Sequence, residues 1–232
     1  MGVLAAGLAH EIKNPLSTIS LNLQLLAEDY ADGDTPLAER TRRRAKLLLG
    51  EVSRLDGIVN DFLTLARGYE LAPETVDLEL LINELLRFVA AENDRLAISA
   101  RSSVSPDGRF VVADPKFLRL ALMNLVLNAQ QAMAEGGGEL LLETRAKDAV
   151  VEVRVTDTGP GMDRELREKI WQPFYSTKSG GTGLGLPTTR RIIEELGGDV
   201  RVLSEPGRGT RFIISLRAVP KQLPAGHGDE TP

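Results

Sequence analysis

The chain has 232 residues, of which 42% are hydrophobic and 26% are charged, so it can bury a core and is not disordered as a whole. Its length favours two modest domains. No apolar run approaches the ~18 residues that a membrane span requires, and the count of 0 cysteines excludes disulfides, thiolate metal sites and a cysteine nucleophile. The formal charge of -5 argues against a large surface for nucleic acid or anionic lipid. We therefore expect a cytoplasmic protein that holds any anion locally.

Two helices are predicted in the first 68 residues, because apolar side chains recur at alternating spacings of four and three. A short connection rich in Asp, Gly and Pro separates them at 29–36. Since a hairpin of two helices buries little surface, we expect a second copy to complete a four-helix bundle as a homodimer. The apolar seams are Ile12, Leu16, Ile19, Leu23 and Leu26 in the first helix and Leu48, Val52, Leu55, Val59 and Phe62 in the second.

A second domain is predicted over 69–218, where short β-branched or alternating runs are mixed with helical patterns. The predicted strands cover 96–100, 110–112, 139–145, 150–156, 200–203 and 210–216, and the predicted helices cover 77–92, 115–134, 164–170 and 184–196. This mixture is typical of an α/β sandwich, in which helices cover one mixed sheet. Residues 219–232 are rich in Pro, Gly and charge, which predicts a flexible tail.

On the first helix, His10 is the more informative of the two histidines. It falls away from the apolar seam, next to Glu11 and one turn before Asn14, so we expect it to face solvent. A lone exposed histidine is most often an ordinary surface residue. An imidazole beside a carboxylate is, however, also a competent nucleophile for phosphoryl groups. Pro15 is expected to kink the helix just after His10.

Two glycine-rich runs indicate a site for a nucleotide. DTGPGM at 157–162 follows a predicted strand, and GGTGLGL at 180–186 opens a predicted helix. Glycine lets backbone N–H groups approach a phosphate, and a helix N-terminus adds partial positive charge. Neither run matches a P-loop or a dinucleotide fingerprint, and either alone is more often a turn. Together with Asp157, whose carboxylate can accept a hydrogen bond from an exocyclic amine, they indicate a purine nucleotide.

Amide, aromatic and cationic side chains extend this predicted site. Asn124 and Asn128 share one face of the helix predicted at 115–134, and an amide oxygen suits Mg²⁺ that also binds nucleotide phosphates. Buried asparagines can equally be structural. The segment WQPFYSTK at 171–178 predicts a mobile cover, with Phe174 as its packed hinge and Lys178 near a terminal phosphate. Lys178 is nearly as well interpreted as a solvated surface lysine.

Five segments in this order, HEIKNPL, NLVLNAQQA, DTGPGM, PFYSTK and GTGLGLPTTRRIIEELGG, resemble the boxes of a sensor histidine kinase of two-component signalling. The resemblance spans residues 9–210. It implies a histidine-phosphotransfer hairpin followed by an ATP-binding domain of the Bergerat type, which gyrase, the mismatch-repair clamp and heat-shock chaperones share. It also implies ATP and Mg²⁺ as cofactors, a response-regulator receiver domain as partner, and a catalytic core cut from a longer sensor.

The resemblance implies a role for each matching residue. His10 would be the phosphoacceptor, Glu11 the adjacent acid–base, and Asn14 a residue that positions water for dephosphorylating the regulator. Asn128 would bind Mg²⁺, and Asp157 would recognise adenine. The other nucleotide-binding positions would be Asn124, Gly159, Gly161, Phe174, Lys178, Gly181, Thr182, Gly183, Leu184 and Gly185.

One position departs from the ATPase relatives, which carry a glutamate four residues before the metal-binding asparagine as a base for water. Here Asn124 stands at that place, and an amide cannot take a proton at neutral pH. The site is therefore expected to hydrolyse ATP slowly and to use His10 as the nucleophile. Two alternatives stay open: an ATP-driven conformational clamp, which His10 and Asn124 disfavour, and a nucleotide-binding scaffold without transfer activity. The basic run at 40–46 is interpreted as an exposed helix face, near which an acidic receiver could dock.

Overall fold

The computed structural model describes residues 13, 16–26, 39–50, 52, 55–56, 70–173, 175–178 and 182–219. They form two compact units. One unit contains the described residues up to Glu70 together with those of Pro173–Thr188, and the other contains Leu71–Gln172 and the described residues from Thr189 onwards. None of the described helices is long and apolar enough to cross a membrane.

The first unit contains two helices, α1 at residues 16–26 and α2 at residues 39–50, which confirms the predicted helical region where the chain is described. Lys13 Nζ lies 3.8 Å from Asp56 Oδ1, so an ion pair joins the segment before α1 to the segment after α2. Leu16 is buried, whereas the seam residues Ile19 and Leu48 are about half exposed. The apolar seams are therefore only partly covered within one chain.

The second unit is an α/β domain built on a five-stranded sheet in the order β2-β4-β5-β7-β6. Strand β2 runs parallel to β4, and the other neighbours are antiparallel, so the predicted mixed sheet is confirmed. The strands are β1 (Glu74–Asp77), β2 (Ile98–Val104), β3 (Phe110–Ala113), β4 (Gly138–Lys147), β5 (Val150–Asp157), β6 (Asp199–Ser204) and β7 (Thr210–Arg217). The helices are α3 (Leu78–Arg95), α4 (Pro115–Ala132) and α5 (Arg164–Lys169), and a short 3-10 helix covers Pro106–Gly108. The last helix, α6 (Gly185–Glu195), has its first four residues in the first unit and the rest in the second.

One face of this sheet forms the core with the helices. Helix α3 packs against β2, and α4 packs against β4 and β5. Because successive side chains of a strand point to opposite faces, every second residue of the central strands enters this core. The fully buried positions include Leu140, Leu142, Val151, Val153, Val155, Ile214 and Leu216.

The strand at Phe110–Ala113 does not join the main sheet as expected. It pairs antiparallel with β1, which is not among the strands predicted from the sequence, and the two form a separate two-stranded ladder. A single bridge between Val111 and Ala218 links this ladder to the end of β7. The pairing depends on contacts between distant segments, so the local alternation of residues 110–112 could not reveal it.

Aspartates fix the start of the two long helices in this domain. Asp77 Oδ1 accepts hydrogen bonds from the backbone N–H groups of Glu79 and Leu80 at the start of α3. Asp114 caps α4 in the same way, and its Oδ2 also accepts from Ala72 N at 2.9 Å. Such caps satisfy N–H groups that lack a partner inside the helix. Helix α4, which carries Asn124 and Asn128, is therefore anchored at its first turn.

Candidate nucleotide-binding site

Asp157 is the last residue of β5 and is held by two backbone donors. Its side-chain Oδ1 accepts hydrogen bonds from Gly159 N at 2.9 Å and from Thr210 N at 3.2 Å. The residue is only 5% exposed. A buried carboxylate only accepts hydrogen bonds, so in a fixed orientation it favours a ligand that presents a donor over one that presents an acceptor.

Two glycines allow close backbone contacts between Asp157, the turn that follows it and the turn between β6 and β7. Gly161 and Gly209 have φ of 71° and 73°, a region that favours glycine. A Cβ on Gly161 would overlap the carbonyl oxygen of Glu205, and one on Gly209 would overlap the carbonyl oxygen of Asp157. The sequence predicts that Gly161 lets the backbone approach a phosphate, and in the structure this glycine also allows two turns to pack closely.

Ser204 and Thr210 support the same turns, and the sequence analysis did not name them as site residues. Ser204 Oγ donates to Gly209 O and accepts from Met162 N, both at 2.8 Å. Thr210 Oγ1 lies 3.1 Å from Ser204 Oγ. These bonds join the segment after β5 to the β6–β7 turn. The run GRGT before a β-branched strand is the sequence signal that could have pointed to this turn.

Helix α4 ends beside the turn that follows Asp157. A Cβ on Gly159 would lie 3.1 Å from the Cβ of Ala132, which is one helical turn after Asn128. Asn128 and Asp157 therefore lie at the same end of the domain. Mg²⁺ is coordinated by oxygen ligands, which include side-chain amide oxygens, so the chemistry of Asn128 fits a metal ligand. Asn124 is one turn earlier, and its Nδ2 lies 3.5 Å from Thr189 Oγ1.

The second glycine run belongs to the other unit, where four of its predicted site residues are described. Thr182 Oγ1 accepts a hydrogen bond from Leu184 N at 3.3 Å, and Gly183 has a φ of 66°. Leu184 is fully buried, and Gly185 is the first residue of α6. The structure thus places a tight turn directly before a helix, as the sequence predicted.

Lys178 is an exposed residue of the same unit. Its backbone N–H donates to Ser176 Oγ at 3.1 Å, which makes a local turn before the glycine run. Five predicted site residues, His10, Glu11, Asn14, Phe174 and Gly181, lie outside the described residues.

Two family models match the chain. The His Kinase A (phospho-acceptor) domain matches residues 1–69, and the histidine kinase-, DNA gyrase B- and HSP90-like ATPase matches residues 113–220. The second match contains α4, Asp157 and both glycine runs. The two matches together describe a phospho-acceptor domain followed by an ATPase domain.

Relatives share this arrangement along nearly the whole chain. The sensor histidine kinase ZraS of Escherichia coli O157:H7 is 37% identical over 216 residues, which are 93% of this chain and 46% of ZraS. Sporulation kinase A of Bacillus subtilis is 35% identical over 93% of this chain and 34% of its own length. The chain therefore spans less than half the length of these relatives.

Solved structures agree with the sequence relatives. Full-length ShkA in complex with AMPPNP has a TM-score of 0.81 at 29% identity, covering 94% of this chain and 47% of ShkA. The catalytic domain of the histidine kinase ThkA is 31% identical with a TM-score of 0.58, covering 63% of this chain and 96% of that domain. ThkA in complex with the response regulator TrrA has a TM-score of 0.67 at 28% identity, and the match covers 96% of this chain and 63% of the ThkA chain. The chain belongs to the sensor histidine kinase family.

Proposed function

We propose that this chain is the catalytic core of an ATP-dependent protein histidine kinase that phosphorylates His10 and passes the phosphoryl group to an aspartate of a response regulator. We assign residues 1–68 to phosphotransfer and dimerisation, and 69–218 to ATP binding. The observation that carries the proposal is the fixed Asp157 carboxylate at the same end of the domain as Asn128. The motif around His10 supplies the nucleophile in the same chain.

We assign the adenine ring to Asp157. The carboxylate Oδ1 is oriented by Gly159 N and Thr210 N, and we assign Oδ2 as the acceptor for the exocyclic amine of adenine. Asn128 would hold Mg²⁺, which neutralises charge on the phosphates when bound. The phosphate-side residues of this proposal are Asn124, Gly159, Gly161, Phe174, Lys178, Gly181, Thr182, Gly183, Leu184 and Gly185.

In the proposed transfer step, a ring nitrogen of His10 attacks the γ-phosphorus of ATP. A P–N bond forms while the bond from the γ-phosphorus to the β,γ-bridging oxygen breaks, and ADP leaves. Glu11 takes the proton that the imidazole loses. Phosphoryl transfer of this kind depends mainly on alignment of the nucleophile and on stabilisation of charge.

Asn124 explains why water should compete poorly with His10. An amide has no basic site at neutral pH, so Asn124 cannot activate a water molecule for attack. The Asn124 amide also lies 3.5 Å from Thr189 Oγ1 of α6. We expect slow ATP hydrolysis and faster transfer to His10.

Two partners are part of the proposal. Exposed apolar residues on the helices, including Leu21, Leu47 and Leu48, support a homodimer that buries them in a four-helix bundle. The complex of the relative ThkA with the response regulator TrrA supports a receiver domain as the phosphoryl acceptor. Asn14 would then position water for dephosphorylating that regulator.

The proposal is tested by incubating the chain with ATP labelled at the γ-phosphate and Mg²⁺. Protein-bound label that is stable to base and labile to acid identifies a phosphoramidate. The chain has two histidines, so His227→Gln is the matched control and should label normally, whereas His10→Gln should not label. Rapid release of free phosphate without labelling would instead indicate a clamp ATPase. Nucleotide binding with neither label nor release would indicate a scaffold.

A further inference from the structure

The sheet of the ATP-binding domain has a second face, opposite the buried core, that is rich in cations. Its residues alternate with the core positions on β4, β5, β7 and β6, and the strand register aligns them in rows. We call this surface the outer sheet face. Its cationic members are Arg145, Lys147, Arg154, Arg201, Arg211 and Arg217, and its acidic members are Glu139, Glu143, Glu152 and Asp199.

Glu152 lies near the centre of the outer sheet face and organises two of its arginines. It is 5% exposed, and its carboxylate pairs with Arg154 Nη2 at 2.7 Å and with Arg201 Nη2 at 3.2 Å. The hydrogen bond from Arg154 holds the pKa of Glu152 below its usual value, so Glu152 stays charged. One carboxylate thus fixes two guanidinium groups, and Arg201 Nε also lies 3.7 Å from Asp199 Oδ2.

Other cations of the outer sheet face are available to a partner. Arg145 and Arg217 are exposed and form no ion pair with another described residue. The six cations and four carboxylates give the face a formal charge of +2. Since the whole chain carries -5, the remaining residues together carry -7. The face is therefore a local cationic surface on an acidic protein.

Apolar side chains lie among these charges. Leu203 is 54% exposed and Val150 is partly exposed on the same face, whereas Ile213 is only 7% exposed. The face contains no aromatic residue, whereas surfaces that bind single-stranded nucleic acid stack bases on aromatic rings. Arginine mixed with apolar side chains is typical of protein–protein interfaces. A DNA duplex or a membrane would also extend past the face and meet the acidic remainder of the chain.

We propose that the outer sheet face docks an acidic surface of another protein chain. The face is four strands wide, with about 4.8 Å for each strand, and four side chains long, with about 6.8 Å for each side chain. Its area is therefore about 500 Å². Stable interfaces bury about 800 Å² on each partner, so the complex is transient. Its strength falls with salt, because exposed charge pairs are screened beyond about 10 Å at 0.1 M ionic strength. This role is independent of the phosphoryl transfer proposed above.

The test uses the full chain and a fluorescent oligoglutamate peptide as the acidic probe, with binding measured by anisotropy. The face variant combines Arg145→Glu and Arg217→Glu. The control combines Arg87→Glu and Lys116→Glu, two exposed cations on α3 and α4, and changes the net charge equally. We expect the face variant to bind about tenfold more weakly than the control. ADP binding shows that both variants are folded.

NMR amide shifts supply an independent measurement of location. Oligoglutamate should shift the amides of β5 and β7 more than those of α3. The proposal is overturned if the wild-type chain does not bind the peptide, or if both variants lose affinity equally. It is also overturned if duplex DNA or phosphatidylglycerol vesicles bind more tightly than the peptide at the same salt concentration.

Discussion

Replacing Asp157 with asparagine tests the adenine assignment while changing the shape of the site very little. In the structure, Oδ1 accepts hydrogen bonds from Gly159 N and Thr210 N. An amide keeps these bonds only by turning its oxygen toward the two donors. Its NH₂ group then occupies the position of Oδ2, which we assign to the exocyclic amine of adenine. A donor would therefore replace the acceptor that adenine requires.

The size of the effect follows from the bond that is lost. A hydrogen bond to a charged group contributes about 1.5–3 kcal/mol, and a factor of ten in affinity corresponds to about 1.4 kcal/mol. We expect the affinity for ADP to fall about 10-fold to 100-fold in Asp157→Asn. Hypoxanthine carries a carbonyl oxygen in place of the amine, so the asparagine amide can donate to it. The preference for ADP over inosine diphosphate should therefore shrink or reverse.

Isothermal titration of ADP and inosine diphosphate measures this directly. Asp163→Asn is the matched control, because Asp163 caps α5 through a hydrogen bond from Leu166 N, and asparagine is an equally good cap. Trp171, the only tryptophan, reports whether each variant is folded. An unchanged ADP affinity in Asp157→Asn, or an equal loss for both nucleotides, would refute the reasoning.

Three further variants test other parts of the domain. Asn124→Glu supplies a base for water, so release of free phosphate from ATP should rise, which a phosphate-release assay measures against the wild type. Gln130→Leu removes the 2.7 Å hydrogen bond from Gln130 Nε2 to the buried Asn93. The free energy of unfolding in urea should fall by about 1–3 kcal/mol, and adding Asn93→Leu should recover much of that loss. The hydrogen bond from Arg109 lowers the pKa of Asp77 in the folded state. The ion pair therefore stabilises the fold fully above the pKa that Asp77 has in the unfolded chain, near 3.8. This stabilisation is lost as the pH falls through the lower pKa of the folded state. Arg109→Ala should therefore unfold at lower urea than the wild type at pH 7, and the gap should narrow below pH ~4; a constant gap would contradict this.

Much of the fold and the site could be predicted from local sequence. The apolar spacing of α3 and α4 predicted both helices, because a helix buries one face and exposes the other. Asp157 and Asn128 stood out because their residue types, at a strand end and on a helix, match the chemistry of a nucleotide and its metal. Each of these signals is contained within a few neighbouring residues.

The sequence by itself therefore determined most of the helices and strands, the α/β class and the candidate residues for adenine and metal. Only the tertiary structure decided that β3 pairs with β1, that Ser204 and Thr210 support Asp157, and that the cations of four strands form one face. Helical and strand periodicity depend on near neighbours, whereas strand pairing and site assembly depend on contacts between segments far apart in the chain. A local pattern carries no information about which distant segment will satisfy its hydrogen bonds.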